Sequence, residues 1–289
     1  MVIDTKTNSI KLGVAEWSLP IDGPWGCRVA ADVGLDGVQL DVGDASRGFP
    51  LTRKSTQGAW QQAADDAGVE LISVAVNALC RHGMNARPDS SDGRLARLAI
   101  AAGVSAANDL GLDLVQLPAF EGGFVRTPEE RENLADALRF ACRLAADVGV
   151  TVSSENVLDP DEFREVRERV GADNFRLFFD MQNYVLNRGL DQLLVLDQLF
   201  NDVIQTHAKD GVGGRLSSAI VGTGDCRVAD QIQLLIDRGY SGWITLENFY
   251  DTGPISGGNG EPVADLGIDA AALRRLTDAA VARKPGSVR

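Results

Sequence analysis

One phrase recurs along this chain and restricts its fold more than any other feature. It is an Ala- or Leu-rich amphipathic stretch, then a glycine, then a short run of Val, Leu and Ile. The copies read AADVGLDGVQLDV, AADDAGVELISVAV, AANDLGLDLVQLP and LAADVGVTVSSEN, with looser versions in RERVGADNFRLFFD and IDRGYSGWITLEN. Such a phrase is a helix, ended by glycine in the left-handed C-terminal position, followed by a buried strand. Gly34, Gly68, Gly111, Gly149, Gly171 and Gly239 take the capping role. Adding the runs IKLGVAEW and DVIQTHA brings the strands to eight, with C-terminal ends near Glu16, Asp41, Asn77, Leu117, Glu155, Asp180, His207 and Glu247. The runs are almost continuously apolar, as strands covered on both faces must be.

Eight such units in 289 residues fit an α/β chain folded as a (β/α)8 TIM barrel, which uses roughly 250 residues as one domain. An open doubly wound sheet would want GxGxxG after its first strand, and none is present there. The expectation is one domain over 1–289, with the barrel at about 10–282 and a polar tail at 283–289. A 44% apolar and 24% charged composition excludes a disordered chain. The net charge of −13 argues against nucleic acid as a partner, because phosphate backbones are bound through Lys and Arg. The opening MVIDTKTNSIKLG lacks the pattern of a signal peptide, and no stretch of about 18 apolar residues suits a membrane. Cys27, Cys80, Cys142 and Cys226 are scattered without a CxxC pair, which fits a reducing cytoplasm.

In a barrel of this type, chemistry gathers where the strands end. Strands five to eight close in VTVSSE, RLFFD, VIQTH and WITLE, placing Glu155, Asp180, His207 and Glu247 at one end of the barrel. A single acid closing a strand is ordinarily a helix cap or loop acceptor. Four ligand types on four consecutive strands are different, since three adjacent carboxylates repel unless a cation neutralises them. Oxygen-rich donors with one imidazole suit one divalent cation, Mn²⁺, Mg²⁺ or Co²⁺, with zinc also acceptable.

SENVLD after strand five, DMQN (Asp180 to Asn183), HAKD (His207 to Asp210), VGTGD (Val221 to Asp225) and GYSGWITLEN (Gly239 to Asn248) resemble the xylose isomerase-like barrels. That superfamily holds sugar isomerases and epimerases together with AP endonucleases. The resemblance runs from AEWSLP near Glu16 to Glu247 and implies a single divalent cation held by Glu155, Asp180, His207 and Glu247. In the ketose 3-epimerase branch the first and last of these also form the catalytic acid–base pair. Asn183, three residues after Asp180, is similar to the pentulose-5-phosphate 3-epimerase form, as is His82 in NALCRHGM, which would then meet a substrate hydroxyl.

Other residues are weighed on their own chemistry. Lys209 and Asp210 suit a pair that orients His207 and its loop. Arg215, in GVGGRLSS, is either an anion contact or an exposed loop arginine. SGGNG after strand eight offers backbone N–H groups for a phosphate, or is a plain loop. Trp17 is either an apolar wall of the substrate pocket or a cap on the barrel. The expected activity is a metal-dependent sugar or sugar-phosphate epimerase or isomerase, removing a proton next to a ketose carbonyl through an enediolate. The alternatives are an inosose dehydratase-like lyase on a cyclic polyol ketone and a non-catalytic sugar-binding barrel. AP endonuclease is disfavoured, because a multi-histidine zinc site cannot be built from His82 and His207 alone. The partner is a small sugar or sugar phosphate, and assembly into a homo-oligomer is left open.

Overall fold

The computed structural model describes residues 10–284. In chain order the elements are β1 (Lys11–Ala15), α1 (Gly26–Asp32), β2 (Gly37–Asp41), α2 (Lys54–Ala67), β3 (Glu70–Ala75), α3 (Ser91–Leu110), β4 (Leu114–Pro118) and α4 (Pro128–Ala146). They continue with β5 (Thr151–Glu155), α5 (Pro160–Val170), β6 (Phe175–Asp180), α6 (Asn183–Arg188), α7 (Gln192–Leu199), β7 (Val203–Ala208), α8 (Val228–Asp237), β8 (Trp243–Leu246) and α9 (Pro262–Arg283). The eight strands are parallel and close into a barrel in sequence order, β8 pairing back onto β1. The polar tail expected at 283–289 lies, from 285 on, outside the described residues, as do the first nine residues of the N-terminal stretch.

The repeat dictates this architecture locally. All six predicted capping glycines have positive φ, between 59° and 87°. Helices α4 and α5 start in the same way: Thr127 or Asp159 caps, proline follows, and Glu130 or Glu162 reaches back to the capping residue's N–H. Three strands stop slightly before the predicted ends: Glu16 and Asn77 already begin tight 3-10 turns, and β8 closes at Leu246, one residue short of Glu247. The sixth unit carries two short helices, broken at Gly189 with φ 63°.

The barrel interior is apolar toward the bottom and polar toward the top. At the bottom the Trp243 ring lies against Gly37, where an added Cβ would stand 2.8 Å from the indole and 2.7 Å from the Glu70 carbonyl. Higher up, hydrogen bonds cross the barrel from Ser73 to Gln205 at 3.3 Å and between Gln39 and His207 at 2.7 Å. These side chains follow the two-residue alternation of strands. Gln205 and His207 therefore share the inward face of β7, as Ser153 and Glu155 share that of β5.

Candidate metal centre

Glu155 ends β5, Asp180 ends β6, His207 lies at the end of β7 and Glu247 directly follows β8. Parallel pairing sets Asp180 beside His207 in register. One donor atom from each of the four residues lies within 4.8 Å of the others, and all four residues are buried. Opposite ligands stand about 4.2 Å apart on an octahedral Mg²⁺ and about 5 Å apart on a larger ion. The cluster therefore has the spacing and the donors to hold a divalent cation.

Neighbouring side chains fix each donor. His207 Nε2 donates to Gln39 Oε1 at 2.7 Å, which leaves Nδ1 facing Glu155 at 3.4 Å and Glu247 at 3.3 Å. With Gln39 holding the Nε2 proton, Nδ1 is the nitrogen that would give up its own proton and turn a lone pair to a bound cation. Asp180 Oδ1 accepts the backbone N–H groups of Gln182 and Asn183 at 2.7 and 2.6 Å, so Oδ2 is left toward Lys209 Nζ at 3.0 Å. Glu155 accepts from Gln116 Nε2 on one oxygen and from Asn183 Nδ2, at 3.2 Å, on the other. Glu247 accepts from Trp17 Nε1 at 2.9 Å and from Lys209 Nζ.

Charge organises the same set. Burial works against ionising every group here, so pairing decides which are charged. Burial would lower His207, yet the carboxylates of Glu247 and Glu155 hold it up at about 10. Burial would also lower Lys209, but Asp180 and Glu247 keep its ammonium protonated well beyond the usual range. Burial raises Glu155, with the charge of His207 opposing the rise. Glu247 is pushed up by burial and pulled below the usual carboxylate range by His207 and Lys209. The three carboxylates thus share a permanent protein cation in Lys209.

Above the cluster opens a cavity of about 890 Å³, within the range of small-molecule sites. Glu155 and Glu247 reach its wall, together with Trp17, Asn183 and Lys209. Of the other residues expected near substrate, His82 is not in this lining. Its ring bonds Asp92 at 2.9 Å, turned toward the first turn of α3. Nor is Arg215, an exposed residue whose Nε reaches the Val212 carbonyl at 3.5 Å within its own loop. Four of the five N–H groups of SGGNG are also engaged, that of Ser256 by the Ser218 carbonyl at 2.8 Å. Asp265 accepts from Asn259 and Gly260 at 2.6 and 3.1 Å, and Gly258 donates to Ile255.

Asp210 holds its loop through four backbone N–H groups, those of Gly211, Gly222, Gly224 and Cys226. The Asn248-Phe249-Tyr250 run is tied down by Asp269, which accepts from Asn248 at 2.7 Å and from Tyr250 at 2.8 Å. Gln39 and Gln116 were missed from sequence. Both sit in the same V-Q-L setting of an apolar strand, and a buried amide there demands a partner.

Residues 27–276 match the family model described as xylose isomerase-like TIM barrel, and the chain belongs to that family. It is 36% identical over 217 residues to a 2-epi-5-epi-valiolone 7-phosphate 2-epimerase from Actinoplanes sp., covering 74% of this chain and 77% of that protein. Among solved structures, an L-ribulose 3-epimerase superposes with a TM-score of 0.74 at 15% identity, over 96% of this chain and 100% of the other. A D-psicose 3-epimerase from Clostridium cellulolyticum H10 gives 0.72 at 16% identity, over 94% and 99%. At those identities the two structures speak for the fold.

Proposed function

We propose that this protein is a divalent-metal-dependent epimerase of a phosphorylated polyhydroxy ketone, either a ketose phosphate or a cyclic polyol ketone phosphate. It would act through an enediolate formed next to the carbonyl. The observation that carries this reading is a division inside the cluster: Glu155 and Glu247 reach the cavity, while Asp180 and His207 stand fully buried behind them. Two of the four donors can therefore touch substrate, and both are carboxyls. The 36% identity to an epimerase whose name carries a phosphate supports both the reaction and the substrate class.

Epimerisation needs a base on one face of the carbon and an acid on the other. Glu155 and Glu247 supply that pair from strands β5 and β8. Each is held at both oxygens, Glu155 by the amides of Gln116 and Asn183, Glu247 by Trp17 and Lys209. Such steering keeps the proton-transfer atoms aimed at the cavity. A bound cation, with Mn²⁺, Mg²⁺ and Co²⁺ the best match to three carboxylates and an imidazole, would polarise the carbonyl and make the adjacent proton acidic. Lys209 contributes a second positive charge beside Glu247. We also place the protein in the cytoplasm, in keeping with its four free cysteines. Among the described residues no helix is long and apolar enough to cross a membrane.

The test is incubation with free ketoses, ketose phosphates and cyclic polyol ketone phosphates in D₂O with Mn²⁺, followed by NMR. Deuterium entering next to the carbonyl with inversion is the expected result. Aldose formation would instead make the protein an isomerase, and loss of water would make it a lyase. No exchange with any of them would refute the reading.

A further inference from the structure

Three basic side chains line the cavity: Lys209, Arg81 and Arg126. Lys209 is committed to Asp180 and Glu247. Arg81, on the loop after β3, stands 3.6 Å from Asp44 in a loose and largely solvated pair. Arg126, on the loop after β4, takes part in no ion pair among the described residues. Its guanidinium lies 4.9 Å over the Phe124 ring and gives one 3.3 Å hydrogen bond to the Phe124 carbonyl. The remaining donors of that planar fork have no acceptor among the described residues.

Arg126 is nevertheless held in place. Its backbone N–H, with that of Thr127, donates to Glu130 Oε2 in the capping box of α4, at 2.6 and 2.9 Å. The two arginine-bearing loops are laced together. Asn85 from the β3 loop donates to the carbonyls of Gly122 and Phe124 at 3.2 and 3.1 Å. Gly83 packs so closely on Gly123 that a Cβ would stand 2.3 Å from its Cα. A guanidinium with spare donors, held over an aromatic ring at the wall of a substrate cavity, matches the fork geometry of a phosphate monoester.

We infer that Arg126, aided by Arg81 from the neighbouring loop, is the subsite for the phosphate of the substrate. The metal-ligand carboxyls on β5 and β8 would then face its reacting end. This rests on the epimerase reading for which end reacts, but the anion subsite can be tested apart from it. It also replaces Arg215, which does not line the cavity, and the SGGNG amides, four of whose five N–H groups are bonded elsewhere.

The experiment measures binding of glucitol 6-phosphate and of glucitol, neither of which has a carbonyl to react, by calorimetry on the Mn²⁺-loaded protein. The phosphate should tighten binding by about 10- to 100-fold, the worth of charge-assisted hydrogen bonds to one anion. Arg126→Ala should remove most of that preference, Arg81→Ala a smaller part, and Arg215→Ala none. Circular dichroism checks that each variant is folded, and Arg126→Lys should recover part of the preference as a point charge. Equal binding of the two polyols by the wild type, or a preference that survives in Arg126→Ala, would overturn the subsite. A phosphate preference lost in Arg126→Ala, alongside no deuterium exchange with any ketone, would sustain the subsite and sink the epimerase reading.

Discussion

The two halves of the barrel mouth are built from one repeated unit yet carry different chemistry. Strands β5 to β8 end in the four candidate ligands, and their loops are fastened by buried acids such as Asp210 and Asp269. Strands β1 to β4 contribute no ligand to that cluster. They send in neutral donors and acceptors, Trp17, Gln39 and Gln116, that orient the ligands of the other half. Their loops also carry the two cavity arginines. On the proposed reading, the contrast teaches that the reacting groups and the arginines that would hold the substrate's phosphate sit on separate walls. Apart from the turn after β1, whose Trp17 holds Glu247, loops on one wall can then change without disturbing the other.

The sharpest way to break this comparison is Glu247→Gln. The amide keeps the size and one oxygen donor but cannot accept a proton. Turnover should fall by about 10²- to 10⁴-fold, the range for loss of a general base. The cation should stay bound, and one epimer should still exchange its proton through Glu155. Recovery of full activity in excess Mn²⁺ would mean that Glu247 is a ligand and nothing more.

Lys209→Met probes the same half through charge. Removing one partner of a buried ionic cluster costs about 3–5 kcal/mol, so denaturant unfolding of the metal-free variant should show a loss of that size. Added Mn²⁺ should then raise its melting temperature more than it raises the wild type's. Equal metal-free stability of variant and parent would show that the ammonium does not neutralise the carboxylates.

The opposite half is tested by Gln39→Leu. Without the acceptor on His207 Nε2 the imidazole loses its orienting partner, and Mn²⁺ affinity should fall by about 10- to 100-fold. Titration with Mn²⁺ followed by electron paramagnetic resonance reads this directly. Unchanged affinity would confine the metal centre to β5–β8.

Position at a strand end is why the four clustered residues were legible in the sequence. The repeat sets where each strand stops, and the barrel's closure then brings four successive strand ends together, so Glu155, Asp180, His207 and Glu247 needed no long-range information. Loop side chains are different. His82 is captured by Asp92, ten residues on, and Arg215 by a carbonyl of its own loop. Neither partner leaves a mark in a local pattern. Gln39 and Gln116 lie between these cases. A glutamine inside an apolar run is visible, but its partner sits on another strand, across the barrel for Gln39 and on the adjacent strand for Gln116.

The smallest expected effect belongs to a pair of acids in the first half that the chemistry leaves unused. Glu16 and Asp41, at the ends of β1 and β2, are both raised chiefly by burial, to about 8 and about 6. The charge of Asp41 adds to the rise at Glu16, and Glu16 Oε2 has no hydrogen-bond partner among the described residues. The folded state therefore keeps a proton on Glu16 that the unfolded chain gives up near the ordinary glutamate value of 4.5. Stability from this group is complete below that value, declines as pH rises toward about 8, and is level above it. Glu16→Gln removes the titration. It should match the wild type near pH 4 and exceed it by about 1–2 kcal/mol at pH 9, less than the full linkage because the residue keeps some solvent contact. Asp41→Asn should move the decline to lower pH by removing the neighbouring charge. Denaturant unfolding across the pH series checks both. A constant difference between Glu16→Gln and wild type would mean that Glu16 is ionised in the folded state, and the first half of the mouth would then hold a full buried negative charge facing the metal half.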